Sequence, residues 1–403
     1  MPRLRPRSAL AATGVRFVNV LSRRLTRGAG TVMGGRVGLK IDPHLLTHLS
    51  AGRRVVLVTG TNGKTTTSAM LRVGWASSVT SNETGANMTE GLVAALAASP
   101  HDRVVLETDE GWFAGVVAAA APEVVVLLNL SRDQLDRANE VRRMAQRWRD
   151  CLNADAFFGV VVANCSDPLV TYAAQTARYV RWVDVPLSWR GDAASCPHCT
   201  RAIVFEVGSW SCPCGFSKPT DVTARLSSAL VINDTSFNLD LALPGTFNDV
   251  NAAFALTALA ELGVSLPEAL VRIRSLTTVQ GRYGRRRYGE RTLRLLLAKN
   301  PAGTTALLES LDEAADVWVA INAQLADGRD PSWLYDVPFE QLRGRHVRCL
   351  GERRLDIATR LTYAGVSCEV VEDPAVLRRG EGEVTLVANY TAFREWMDVT
   401  TPC

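Results

Sequence analysis

One stretch constrains this chain more than any other: VVLVTGTNGKTTT, residues 55–67. An apolar run of β-formers enters a turn holding Gly60 and Gly63, and TTTSAMLRVGW then reads as a helix. A strand, glycine turn and helix in that order form a cradle whose backbone N–H groups and helix N-terminus bind phosphate. Gly60, Thr61, Asn62, Gly63 and Thr66 fall in the cradle, Lys64 is placed to reach β- and γ-phosphates, and Thr65 to hold Mg2+. The eight-residue form of the loop has glycine where Val58 stands, so the match is to a shorter variant, T-G-T-N-G-K-T. It reads as an ATP site. Lysine usage sharpens the point. Of 45 basic residues only Lys40, Lys64, Lys218 and Lys299 are lysines, and a compact ammonium on phosphate is one task arginine does not duplicate.

The same alternation of strand and helix continues downstream. RVVLETDE, EVVVLLNL and FGVVVANC are apolar strands ending in polar residues, with helical segments between them. This pattern predicts a mostly parallel sheet with active residues at the carboxyl ends of its strands. Residues 60–65, 107–110 and 129–136 fall there. From Ser195 to Lys218 the composition shifts to Cys, Pro, Gly and Ser, marking an insertion. A basic stretch at 281–294 reads as a hinge, and LRLLLAKN, ADVWVAIN and GEVTLVANY beyond it as strands of a second, smaller α/β domain. The expected organisation is an N-terminal helical and connector segment at 1–48, an ATP-binding domain at 49–290 with an insertion at 195–218, and a C-terminal α/β domain at 291–403. Within the first segment, Gly28 to Gly38 reads as a glycine-rich connector. The residues before it, with Leu10, Val15, Phe17, Val18, Val20 and Leu21 among arginines, read as a basic amphipathic helix packed on the protein. Peripheral contact with an anionic membrane face is its weaker reading. No apolar run approaches a bilayer span. A net charge of +4 lies below the footprint of a dedicated nucleic-acid binder.

Nine cysteines in 403 residues do not make a disulfide scaffold. Four cluster in SCPHCTRAIVFEVGSWSCPCGF, where Cys196 and Cys199 form one knuckle and Cys212 and Cys214 a second. Four thiolates on two turns suit tetrahedral Zn2+ in a closed structural site, a zinc ribbon. The second knuckle is C-x-C, one residue short, a spacing that can loosen or distort the site; His198 is a conceivable substitute ligand, though its neighbouring position favours a bystander. Only Arg201 and Lys218 add positive charge there, so a nucleic-acid role for the ribbon is disfavoured. Cys151, Cys165, Cys349, Cys368 and Cys403 read as inert thiols. None sits in a G-x-C-x-G elbow, and there are only five histidines.

Several segments in one order resemble the Mur ligases, which join amines to carboxylates through acyl phosphates. They are the short phosphate loop, NETGANMTEG (82–91), LETDEG (106–111), NLSRDQLDR (129–137) and LPGTFNDVNAAFA (243–255). The resemblance implies a Mur-ligase-like ATPase domain, with Glu107 as a Mg2+ ligand, Asn87 in the second glycine loop and Asn251 near the adenine. Gln134 stands where the family has histidine, which puts a second magnesium site in doubt. The family's carbamylated lysine is expected to be absent, since Lys218 is the only lysine in the relevant interval. About fifty residues precede the phosphate-loop strand, too few for the family's usual nucleotide-sugar domain.

GRYG (281–284), AKNPAG (298–303) and INAQLADGRDPSWLYDVPFE (321–340) narrow the resemblance to the synthetase subunits of lipid II isoglutaminyl synthases. That branch implies ATP-dependent amidation of the D-glutamate carboxylate of the lipid II stem peptide to D-isoglutamine. Ammonia would come from a GatD-type glutaminase in a heterodimer, with both subunits in the cytoplasm or at the inner membrane face. It implies that Asp336, in WLYDVPFE, completes the partner's Cys–His pair. Lys299 is a candidate phosphate or acyl-phosphate contact, or else half of a structural ion pair. Asp109, Glu110 and Asp133 stand where metal or ammonia could bind. The rival readings are a stand-alone Mur or folylpolyglutamate-type amino-acid ligase and a zinc-ribbon ATPase acting on nucleic acid.

Overall fold

Runs of buried Val and Leu set the strands. The structure, a computed structural model, describes residues 5–25, 31–75, 78–82, 86–133, 141–279, 281, 283–312 and 316–403. Its contacts divide the chain into two units. The first takes Met1–Leu130, Val141–Ala242 and Asn248–Leu276; the second takes Ser131–Glu140, Leu243–Phe247 and Thr277–Cys403.

In the first unit the strands are β1 (Arg54–Thr59), β2 (Val79–Ser81), β3 (Arg103–Glu107), β4 (Val124–Leu127), β5 (Val160–Asn164), β6 (Tyr179–Asp184), β7 (Val204–Glu206), β8 (Ser209–Ser211), β9 (Ala224–Leu226), β10 (Leu230–Ile232) and β11 (Thr235–Phe237). Nine of them form one sheet in the order β11-β10-β9-β6-β5-β4-β1-β3-β2, parallel from β2 to β9 and antiparallel over β9, β10 and β11. β1 is buried at five of its six positions, as in parallel sheets covered on both faces. The helices are α1 (Pro6–Leu25), α2 (Thr31–Ile41), α3 (Leu45–Ser50), α4 (Lys64–Gly74), α5 (Thr89–Ala98), α6 (Phe113–Ala120), α7 (Val141–Leu152), α8 (Pro168–Ala174), α9 (Thr246–Glu261) and α10 (Leu266–Arg274). β1 lies between β3 and β4, so the strand order reverses there, and in sheets of this kind ligands bind outside the carboxyl ends of the strands at such a reversal.

The stretch expected as a connector, 28–38, is helical from Thr31 onward. Its glycines permit close approach: a Cβ on Gly34 would sit 2.2 Å from Asn19 Oδ1, and one on Gly38 2.4 Å from Val15 Cγ2. Packing of α2 on α1 thus overrides glycine's poor helix propensity. α1 packs inward, as expected, but through Ala11, Ala12 and Val15, while Leu10 (65 % exposed), Phe17 (68 %), Val20 and Leu21 face outward. No described helix is long and apolar enough to cross a membrane.

β7 and β8 form a separate antiparallel hairpin within the 195–218 insertion. Trp210, Phe216, Ile203, Cys196 and Cys212 from this insertion are buried in the first unit's core.

The second unit is a seven-stranded sheet of β12 (Tyr283–Tyr288), β13 (Arg291–Leu297), β14 (Asp316–Ala320), β15 (His346–Leu350), β16 (Ser367–Val370), β17 (Glu383–Ala388) and β18 (Thr401–Pro402), in the order β16-β15-β14-β17-β13-β12-β18. α11 (Pro301–Glu309), α12 (Arg354–Ala364) and α13 (Tyr390–Val399) accompany it. The basic stretch expected as a hinge is the β12–β13 hairpin. Its arginines meet partners at the sheet's rim, Arg285 on Glu383 and Arg286 on the carbonyls of Met397 and Thr400, while Tyr288 and Leu293 are buried. The expected boundary at 290/291 falls in the turn of this hairpin, whereas the two units divide at Leu276/Thr277.

Candidate functional site

The phosphate-loop residues leave the carboxyl end of β1 and enter α4 through Gly63, whose φ of +88° favours glycine. A Cβ there would also lie 2.4 Å from Asn251 Oδ1. Asn251, on α9, is buried beneath the loop and accepts from the Thr67 hydroxyl at 3.3 Å. It braces the turn from below. Lys64 is 5 % exposed and donates to the carbonyls of Gly60 (2.5 Å) and Thr61 (3.3 Å) and to Glu110 (3.3 Å). Glu110, whose role the sequence left open, is therefore a carboxylate that faces the loop lysine. Thr65 is half-buried and Thr66 buried in the first turn of α4.

Glu107 ends β3, in register beside Val58 of β1. It is 3 % exposed, and its Oε1 has no hydrogen-bond partner among the described residues. Asn82 holds its backbone on both sides, accepting from Glu107 N at 2.9 Å and donating to Glu107 O at 2.8 Å. A buried carboxylate oxygen left without a donor is costly. An oxygen-ligated cation at that oxygen offsets the cost, so Glu107, with the Thr65 hydroxyl, fits Mg2+. Asp109 turns back on its own loop, accepting from Gly111 N at 3.0 Å, and its N–H donates to the Asn87 carbonyl at 3.0 Å. Asn87 is thus tied to the LETDEG segment through its backbone. Residues 83–85 of the second glycine loop, Gln134 and the rest of 134–140, and Arg282 of GRYG lie outside the described residues.

Asp133, Lys299 and Asp336 belong to the second unit. Lys299 Nζ pairs with Asp133 at 2.7 Å, and Asn300, which caps α11, donates to the other Asp133 oxygen at 3.1 Å. The ion-pair alternative for Lys299 is therefore what the bonds display. Asp336 ends a short helical turn whose Trp333 and Leu334 are buried. It is 41 % exposed and lies 3.3 Å from Arg132.

The four clustered cysteines converge: all four sulfurs lie within 4.8 Å of one another, with Cys199–Cys212 at 3.4 Å and Cys196–Cys214 at 3.7 Å. Thiolates about 2.3 Å from a tetrahedral zinc stand about 3.8 Å apart, so the cluster fits the metal. The short second knuckle is closed by Gly215 N–H donating to Cys212 O and Cys212 N–H to Phe216 O, a turn that places Cys214 beside the other three sulfurs. His198 points elsewhere, its ring near Tyr172 and Phe216 and its Nε2 at 2.8 Å from Gln175. Lys218 is committed to Asp184 at 2.5 Å. Burial pushes the thiols of Cys151 and Cys165 up to about 12, consistent with inert side chains.

Sequence reasoning missed Asp167 and gave Asn82 and Asn129 no role. Asp167 precedes Pro168 at the start of α8, and Asp-Pro at that position is a legible capping signal. Asn129 fell within a recognised segment without a role. Asn82 likewise opened the recognised segment 82–91 without a role.

Comparison with known proteins agrees with this architecture. Residues 58–194 match the Mur ligase middle domain and residues 297–393 the MurT ligase C-terminal domain. The pseudomurein peptide ligase type C of Methanothermus fervidus superposes with a TM-score of 0.68 at 19 % identity, covering 86 % of this chain and 78 % of that one. Fold and matched domains make this chain Mur-ligase-like. Within that class it is MurT-like along nearly its whole length. It is 29 % identical to the MurT subunit of lipid II isoglutaminyl synthase (glutamine-hydrolyzing) of Staphylococcus aureus, over 94 % of this chain and 95 % of that protein. It is 28 % identical to the MurT subunit of Streptococcus pneumoniae over 92 % of each.

Proposed function

We propose that this chain is the synthetase subunit of a lipid II isoglutaminyl synthase, amidating the D-glutamate carboxylate of the stem peptide to D-isoglutamine at the expense of ATP. The observation that carries the reading is that adjacent strands β1 and β3 lead, at their carboxyl ends, to a phosphate-loop lysine and to a buried Glu107 oxygen that lacks a donor among the described residues. Lys64, Thr61, Asn62 and Gly63 hold the phosphates, and Glu107 and Thr65 hold Mg2+, which when bound offsets charge on the transferring phosphoryl group. The substrate carboxylate attacks the γ-phosphorus, the bond to ADP breaks, and an acyl phosphate forms. Ammonia then adds to the acyl carbon and inorganic phosphate leaves. Glu110 keeps Lys64 in the crevice. Lys299, paired with Asp133, is assigned no step.

Ammonia comes from a GatD-type glutaminase bound as a heterodimer. Among the described residues no cysteine thiol is hydrogen-bonded to a histidine ring, so no nucleophile–base pair of this chain's own supports glutamine hydrolysis. Asp336, half-exposed on a turn anchored by buried Trp333 and Leu334, orients the partner's histidine and stabilises its cation. Zn2+ in the four-cysteine site is structural. The reaction runs in the cytoplasm, and the outward Leu10, Phe17, Val20 and Leu21 of α1, in a segment with no acidic residue before Asp42, give peripheral contact with the inner membrane face.

The test is reconstitution of the chain and its glutaminase with lipid II, ATP and glutamine, read by mass spectrometry of the stem peptide. Amidation that needs both proteins and ATP is expected. Amino-acid addition by the isolated chain, or amidation without ATP, would overturn the reading.

A further inference from the structure

Three residues past β4, Leu128 to Leu130, are gripped from both sides by polar groups. On one side they hold the phosphate loop. Asn129 clasps the Asn62 backbone, accepting from its N–H at 2.9 Å and donating to its carbonyl at 3.0 Å, while the Asn129 carbonyl accepts from Thr61 N at 3.1 Å. On the other side the β5–α8 loop holds them. Asn164 donates to the Leu128 carbonyl at 2.8 Å, and Asp167 Oδ2 accepts from Leu130 N at 2.8 Å.

Asp167 is buried, and its Oδ1 accepts from Leu169 N at 2.8 Å and Val170 N at 3.3 Å as the cap of α8. A cap alone would be served by a serine hydroxyl. Burying a carboxylate instead is costly, and burial pushes this carboxyl up to about 6 against the pull of its three N–H donors. What the carboxylate adds over a hydroxyl is a second oxygen, and that oxygen is spent on Leu130, the residue next to the one clasping the phosphate loop.

We propose that Asp167 is a positioning residue for the phosphate loop, acting through Leu130 and Asn129 to hold Thr61 and Asn62 where they meet the nucleotide. The proposal rests on the reading that the loop binds ATP. It goes beyond that reading in assigning the loop's geometry to a carboxylate that touches neither nucleotide nor metal ligand.

The test compares wild type, Asp167→Ser, Asn129→Ala and the double variant in the full chain. Serine keeps a cap for α8 but does not reach Leu130. The expected result is a melting temperature near that of wild type, with Mg-ATP affinity by calorimetry weakened about tenfold, the size of one charge-assisted hydrogen bond. The double variant should bind no more weakly than Asn129→Ala alone, because residues acting in series are not additive. Faster hydrogen exchange at the Thr61 and Asn62 amides of Asp167→Ser reads the brace without any nucleotide. Should wild type fail to bind ATP, the functional reading falls while the exchange rates still decide the brace. If Asp167→Ser does not fold, Asp167→Asn, with one oxygen left for the cap, replaces it in every arm. Unchanged affinity with unchanged exchange, or losses that multiply in the double variant, would overturn the proposal.

Discussion

Removing zinc from the four-cysteine site should cost the first unit stability in an amount that follows from what the two knuckles hold down. The sulfurs crowd within 4.8 Å, a spacing that a shared metal accounts for. The hairpin between the knuckles carries Trp210, and Phe216 follows the second, both buried in the first unit's core with their rings 4.8 Å apart. Trp210 is also tied down by its indole N–H, which donates to the Cys165 carbonyl at 3.0 Å. Full burial of a large apolar side chain is worth about 1.5–3 kcal/mol, so releasing both aromatics forfeits about 3–6 kcal/mol. At roughly 2–4 °C per kcal/mol for a domain of this size, the melting temperature should fall on the order of 10 °C. The assay is elemental analysis of protein purified without chelator, then thermal melts with and without a zinc chelator and of Cys196→Ser. One zinc per chain is expected, with chelated and variant proteins melting alike. Metal-free protein whose melt ignores both chelator and substitution would refute the reasoning.

Strand β1, its glycine turn and α4 were legible because one local pattern, apolar run to glycine to helix, encodes strand, cradle and lysine together. Cysteine spacing likewise announced the convergence of four sulfurs, and only the tightness of the Cys212–Phe216 turn escaped it. Local rules failed where distant packing decides. Glycines 34 and 38 read as a connector because their contact surface, α1, lies elsewhere in sequence. The arginines of β12 read as a hinge because the carboxylate and carbonyls that receive them come from β17 and the end of α13. The supports of the candidate site were hidden for the same reason. The Asn62–Asn129 clasp spans 67 residues and the Leu130–Asp167 bond 37, so neither is visible in any window of sequence.

Lys64→Ala should lower amidation at least a hundredfold with either nitrogen source, the scale of one lost electrostatic contact to the transferring group, without unfolding the chain; near wild-type turnover at saturating ATP would remove Lys64 from the site. Leu10→Ser with Phe17→Ser should abolish sedimentation with anionic vesicles while leaving the melt unchanged, since both side chains face outward; equal sedimentation of variant and wild type would remove α1 from the membrane. Because burial raises the Asp167 carboxyl to about 6, the native chain binds a proton that the unfolded chain has already released. That contribution is complete below about pH 4 and is lost as pH rises through about 6. Urea titrations across that window should show a descent in stability that Asp167→Ser lacks, and identical profiles would refute the assignment. Asp336 separates the two half-reactions. Its pairing with Arg132 is half-exposed on both sides, and such pairs contribute no more than about 1 kcal/mol. Asp336→Asn should therefore fold and bind its partner normally. Loss of the carboxylate deprives the partner's histidine of its orienting charge, so glutamine-dependent amidation should collapse. Amidation driven by added ammonium, which bypasses the glutaminase, should continue at the wild-type rate. Loss of the ammonium-driven reaction too, with the heterodimer intact on gel filtration, would place Asp336 in the synthetase chemistry instead.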